Sequence, residues 1–154
     1  MRPGNYSQAG FLGPNESLIE ILQNDARELA ELGVEASALS AGLGQLLETA
    51  LASKQNVTRV GHYTVKIRRY KGFQICPFAP QPFENPCPGG GTKLGSIDWD
   101  IKNNRRSFRL SGPGLIVHLI GIHSFFEGFE SPYRVAPRAL AELLELGTFA
   151  PVAR

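Results

Sequence analysis

The sequence predicts a single α+β domain: an N-terminal αα-hairpin, a small antiparallel sheet of two β-hairpins, and C-terminal helical segments. Three observations carry that reading. Apolar residues recur at helical spacing over 17–53, and the period switches to two from His62. Glycine- and proline-rich stretches punctuate the chain between these blocks. A chain of 154 residues fits one domain, 1–154, and a domain of that size buries roughly two-thirds of its unfolded surface. Hydrophobic residues make up 42% against 19% charged, a balance that excludes a disordered tail or a coiled coil.

Residues 1–16 are rich in Gly, Pro and Asn and read as a flexible arm. Ser17-Leu18-Ile19-Glu20 is a capping-box pattern, in which the hydroxyl and the carboxylate satisfy orphan N–H groups of a first turn. Leu18, Ile21, Leu22, Leu29 and Leu32 follow at helical spacing, and Gly33 suits a left-handed stop. A second helix is expected from Ala36 to Ser53, with Leu39, Leu43, Leu46, Leu47, Ala50 and Leu51 on one face. Gly42 and Gly44 weaken its first half by up to ~1 kcal/mol each.

The antiparallel hairpins are expected over 60–111. Tyr63, Val65 and Ile67 alternate with Thr64, Lys66 and Arg68, and Lys71-Gly72 reads as the turn into a returning strand, Phe73 to Phe78. A long loop, 77–95, follows. In the second hairpin Ile97, Trp99 and Ile101 alternate with Asp98, Asp100 and Lys102, Asn103-Asn104 turns the chain, and Phe108 and Leu110 return. Residues 113–147 read as mostly helical. Pro113 to Phe126 is apolar all round, so periodicity does not separate helix from strand there; Ser111 and Pro113, as N-cap and first-turn proline, tilt the reading to helix. A last short helix runs from Pro137 to Leu146 and stops at Gly147.

No apolar segment follows Met1 as a secretory leader would, and the longest apolar run, Leu115 to Ile122, falls far short of the ~20 residues that span a bilayer. A cytoplasmic location is the expectation. Two cysteines in such a compartment read as thiols or metal ligands rather than as a disulfide.

The net charge of +2 conceals an asymmetry. Residues 1–58 carry three basic and seven acidic side chains, residues 59–109 ten and three, and residues 110–154 three and four. The cations therefore concentrate on the predicted sheet. Lys66, Arg68, Arg69, Lys102, Arg105 and Arg109, with Tyr70 beside them, form a candidate binding face for an anionic macromolecule, either an acidic protein or a nucleic acid.

Cys76, Cys87, His118 and His123 are the candidate metal ligands. Two thiolates and two imidazoles make a closed structural zinc site, and the four-residue gap between the histidines suits a second ligand pair. The ten-residue gap between the cysteines departs from the usual short spacing. A strand over 115–123 would send the two histidines to opposite sides. On a helix they stand about 140° apart, which calls for a distortion near Gly121. One structural Zn²⁺ is the expected cofactor.

The resulting expectation is a non-enzymatic binding or adaptor protein, stapled by zinc, that contacts an anionic partner through a basic sheet face. Two alternatives stand beside it. A metal-dependent hydrolase or nuclease would use His118 and His123 with Glu127 or Glu130, or else Asp98, Asp100 and Lys102. A structural subunit would self-associate into a homo-oligomer through the N-terminal helices. Known zinc-hydrolase spacings and a phosphate-loop pattern are both missing, and Gly89-Gly90-Gly91-Thr92-Lys93 lacks the P-loop arrangement.

Overall fold

The computed structural model describes residues 10–72, 74–78, 87 and 93–152. It is an α+β arrangement of two N-terminal helices, a four-stranded antiparallel sheet built from two hairpins, and C-terminal helices. Helix α1 spans Leu18–Leu32 and α2 Ala36–Ala52. Ser17 caps α1 by accepting from the Glu20 N–H at 3.4 Å. Gly33, at φ 66°, ends it with N–H bonds from Gly33 and Val34 back to Ala30 and Leu29. Leu39, Leu43, Leu46, Leu47 and Ala50 form the buried face of α2, as the spacing requires.

The glycines of α2 are sites of close packing. A Cβ on Gly42 would stand 3.2 Å from Leu144, and one on Gly44 3.3 Å from Val117. Their small size lets the C-terminal helices seat against α2, which offsets part of their propensity cost.

The strands are β1 (Val57–Val60), β2 (Tyr63–Arg69), β3 (Ile97–Asn103) and β4 (Phe108–Pro113), in the order β1-β2-β3-β4. The first hairpin differs from the expected one. The partner of β2 precedes it, with Val60 opposite Tyr63 across a tight turn in which Gly61 takes φ 59°. Gln74–Phe78 lies outside any strand, while Phe73 falls outside the described residues. Tyr70 and Gln74 instead bond through their N–H groups to the carbonyls of Ser96 and Gly95. The second hairpin pairs as expected, with Ile101 opposite Leu110 and Lys102 opposite Arg109, but Asn103 ends β3 opposite Phe108 and the turn falls at 104–107 rather than at Asn103-Asn104.

Helix α3 spans Ile116–His123, so the middle of the ambiguous segment is helical. Its start is not the expected one: Ser111 and Pro113 belong to β4, and Leu115 caps α3 without a side-chain bond. Helix α4 spans Pro137–Leu144 with its proline in the first turn, and it ends before Gly147. Glu145 takes the left-handed stop at φ 56°. Its carboxylate accepts from Arg105 at 2.6 Å and Asn103 at 3.3 Å, and lies 2.7 Å from His62 Nε2. Burial opposes ionisation of this group, but the bonds from Arg105, Asn103 and His62 prevail and hold its carboxyl below the usual range. Three partners thus fix an otherwise disfavoured backbone.

Helices α2 and α4 cover one face of the sheet, α1 packs on α4, and α3 lies along α2. Tyr63, Val65, Ile67, Ile97, Trp99 and Ile101 point into this layer. They meet Leu39, Leu43 and Leu47 of α2, Leu119 and Ile120 of α3, and Leu140 and Leu143 of α4 within one core. Each such side chain contributes about 1.5–3 kcal/mol by its burial. Residues 1–9 of the expected arm lie outside the described residues, and the part that follows is packed: Phe11 and Leu12 are buried in the core. Glu16 pins this segment by accepting from the N–H groups of Gly13, Phe129 and Glu130. Most of the expected loop 77–95 is likewise outside the described residues. No described helix is long and apolar enough to cross a membrane.

Candidate metal centre

Cys76, Cys87, His118 and His123 converge: one ligand atom from each lies within 4.8 Å of every other. The Cys76 sulfur is 3.4 Å from His123 Nε2, and the Cys87 sulfur is 3.5 Å from His118 Nε2 and 3.2 Å from His123 Nε2. A tetrahedral zinc ion, with bonds near 2.3 Å to sulfur and 2.0–2.1 Å to nitrogen, sets such S···N edges at about 3.5 Å. The four donors therefore stand close to the shell such an ion needs.

Helix α3 supplies both imidazoles. It runs unbroken through Gly121 to His123, so the distortion inferred from the sequence is absent. Angular separation was the wrong criterion. Five helical residues put the two Cα atoms about 9 Å apart, and two imidazoles leaning toward the space between them close that gap. The rings meet edge to face with centroids 5.2 Å apart. Gly121 serves packing instead, since a Cβ there would stand 2.5 Å from Ser40 Oγ. Ser40 in turn donates to the Val117 carbonyl at 2.8 Å, which locks α3 to α2 beside the site.

After His123 the chain reverses through Ser124 at φ 51°, with Ser124 and Phe125 donating to Ile120 and Leu119. Phe78 stacks on His123 at 4.0 Å and 11°, and Phe125 meets Phe78 edge-on at 5.4 Å. Cys76 is fully buried and Cys87 half-buried. Burial lowers the proton affinity of both imidazoles, and the neighbouring His123 lowers His118 further. Neutral imidazoles keep the lone pairs that a metal takes.

Of the carboxylates expected as catalytic partners in a hydrolase, Glu127, Asp98 and Asp100 are engaged elsewhere. Glu127 is buried and accepts from Ser131 Oγ at 2.9 Å, and burial pushes its carboxyl up to about 7 despite that bond and the nearby Arg134 guanidinium. Arg134 donates to the Glu127 carbonyl at 2.6 Å and grips Asp25 of α1 through two bonds of 2.7 and 3.0 Å. Asp100 accepts from Arg109 at 2.7 Å, and Asp98 accepts from the Tyr70 hydroxyl.

The six cations divide between two sides. Register places Lys66, Arg68, Lys102 and Arg109 on the sheet face turned away from the helices, with Arg59 beside them on β1. Lys66 stands opposite Asp100 and Arg68 opposite Asp98 on that face. Arg69 shares the parity of Ile67 and bonds to Asn56 at 3.2 Å, while Arg105 reaches Glu145 at the end of α4. These two do not join the outward row.

Sequence reasoning missed Asp25 and Glu145. Asp25 did carry a signal: it sits four residues from both Ile21 and Leu29, inside the apolar stripe of α1. A charge at such a position calls for a buried partner. Glu145 carried none, because its partners lie 40 to 83 residues away. Comparison with protein-family models, curated proteins and solved structures finds no match to this chain.

Proposed function

We propose that the protein is a zinc-stapled, non-enzymatic binding domain that meets an anionic macromolecule across the outward face of its sheet. The observation that carries the reading is the convergence of two sulfurs and two imidazole nitrogens within 4.8 Å of one another. Cysteine and histidine together suit zinc above the hard cations, which prefer oxygen. Four protein donors fill the shell and leave no position for a reacting water, so the ion's part is structural. It ties Cys76 and Cys87, on either side of a proline-containing stretch, to α3 and so cross-links distant parts of the chain.

The partner follows from charge. Arg59, Lys66, Arg68, Lys102 and Arg109 lie on the sheet face turned away from the helices, against Asp98 and Asp100. That excess favours phosphate- or carboxylate-bearing partners. Two experiments test the proposal. Cobalt(II) added to metal-free protein should give thiolate-to-metal charge transfer and the intense visible bands of a tetrahedral site. The Cys87→Ser variant should lose about half of that charge transfer, one of two thiolates being removed, and octahedral, weakly absorbing cobalt would refute the ligand set. Retention on heparin should fall steeply with salt, and salt-independent passage would refute the basic face.

A further inference from the structure

At one end of the sheet lies a cleft of about 390 Å³, whose walls include Tyr70, Tyr133, Pro113, Gln74, Asp98 and Lys71. None of the four metal ligands lines it, and its size lies within the range of small-ligand pockets. Tyr70 and Tyr133 are the largest exposed side chains there, at 43% and 38%. Tyr70 continues the outward row of β2 two residues beyond Arg68, whose guanidinium carbon sits 5.5 Å from the Tyr70 ring centroid. The row therefore runs Lys66, Arg68, Tyr70 and opens directly into the cleft.

We infer that the cleft receives one unpaired base of a single-stranded nucleic acid, stacked on Tyr70 and Tyr133, while the sheet cations follow the flanking phosphates. The inference rests on the anionic-partner reading and gives it a class. A row of cations alone would serve an acidic protein equally well. An aromatic-walled cleft at the end of that row is the combination that single-strand binders use, because every base has a face to stack.

Asp98 sharpens the choice. Its carboxylate repels any carboxylate or phosphate that enters the cleft, but it accepts from a donor on a base edge. Cytosine, adenine and guanine offer an exocyclic amino group with two N–H donors, whereas uracil and thymine offer only the single ring N3–H. Tyr70 already donates to Asp98, which holds the carboxylate in place. The preferred occupant is a base with an exocyclic amino group.

The test is fluorescence anisotropy with end-labelled oligonucleotides of about 12 residues, within the usual site size. Oligo(C) should bind more tightly than oligo(U), in ribose and deoxyribose forms, and more tightly than a duplex of equal length. Tyr70→Ala should weaken oligo(C) binding about five- to a hundredfold, well beyond any change in its retention on heparin. Tyr70→Phe keeps the stacking face and should remain within about threefold, the loss assigned to the hydroxyl bond. Tyr70 is exposed, so a thermal melt should show both variants folded. If heparin and oligonucleotides both fail to bind, the anionic-partner reading falls and takes the cleft with it. If heparin binds but single strand and duplex bind alike, or Tyr70→Ala changes nothing, the cleft is refuted and the basic face stands. Tight binding of an acidic polypeptide in preference to oligo(C) likewise refutes the cleft and leaves the basic face standing.

Discussion

Glu127→Gln should make the protein's stability less dependent on pH, in a direction that the structure fixes. The Glu127 carboxyl is buried, bonded to Ser131 at 2.9 Å, and pushed from its ordinary 4.5 up to about 7 by desolvation. Arg134 faces it but is committed to Asp25 and to the Glu127 carbonyl. Below pH ~4.5 the carboxyl is protonated in both folded and unfolded chains and contributes no pH dependence. Between that value and about 7 the folded chain holds a proton that the unfolded chain has released. Stability therefore falls as pH rises through this window and is flat above it. The interval corresponds to about 3 kcal/mol. Glutamine imitates the protonated acid, accepts from Ser131 and never ionises. Denaturant unfolding of both proteins at pH 5, 6, 7 and 8 reads the difference, in which every shared titrating group cancels. The variant should lie within about 1 kcal/mol of wild type at pH 5 and exceed it by up to about 3 kcal/mol at pH 8. A difference that stays constant with pH, or that grows in favour of wild type, would falsify the reasoning.

Three further outcomes follow from packing and charge. Asp25→Ala strands Arg134, whose side chain is only 12% exposed, and should cost about 3–5 kcal/mol in urea unfolding; a loss below about 1 kcal/mol would mean that the pair is dispensable. Gly114→Ala would set a Cβ 1.9 Å from the Leu94 carbonyl oxygen, so a loss of about 3 kcal/mol is expected from the forced backbone shift, and an unchanged melt would contradict that approach. Asp100→Asn removes a phosphate-repelling charge from the sheet face and frees Arg109 from its 2.7 Å bond. Oligonucleotide affinity should rise about two- to fivefold, with stability changed by less than about 1 kcal/mol because the pair is exposed; weaker binding would count against the face.

How much of this was legible depended on the range of the interaction that fixes each element. The helical hairpin was legible down to its ends, because Ser17, Gly33 and the leucine spacing all act within one or two turns. Strands β2 to β4 were legible from their alternation, and β1 was not. Val57–Val60 is four residues long and half of it is exposed, so its pairing with β2 rather than its own pattern makes it a strand. The three β-branched residues ahead of Gly61 were the available cue. The metal ligands were legible as residue types, but the ten-residue gap between the cysteines could not say that tertiary closure would bring them together. The sheet cations divided by strand parity, which depends on where β2 ends: Arg69, one residue past Arg68, falls on the other side. Arg105 left the face because it lies beyond β3, where Glu145 of a distant segment claims it.

Above all, one structural zinc ion held by Cys76, Cys87, His118 and His123 is what we propose. Elemental mass spectrometry of untagged, extensively dialysed protein, followed by a thermal melt with and without a strong chelator, tests it most directly. Close to one zinc per chain is expected, with a large fall in melting temperature on chelation that zinc restores, because binding energy of this kind is folding energy. Protein free of metal, or a melt that chelation leaves unchanged, would contradict it.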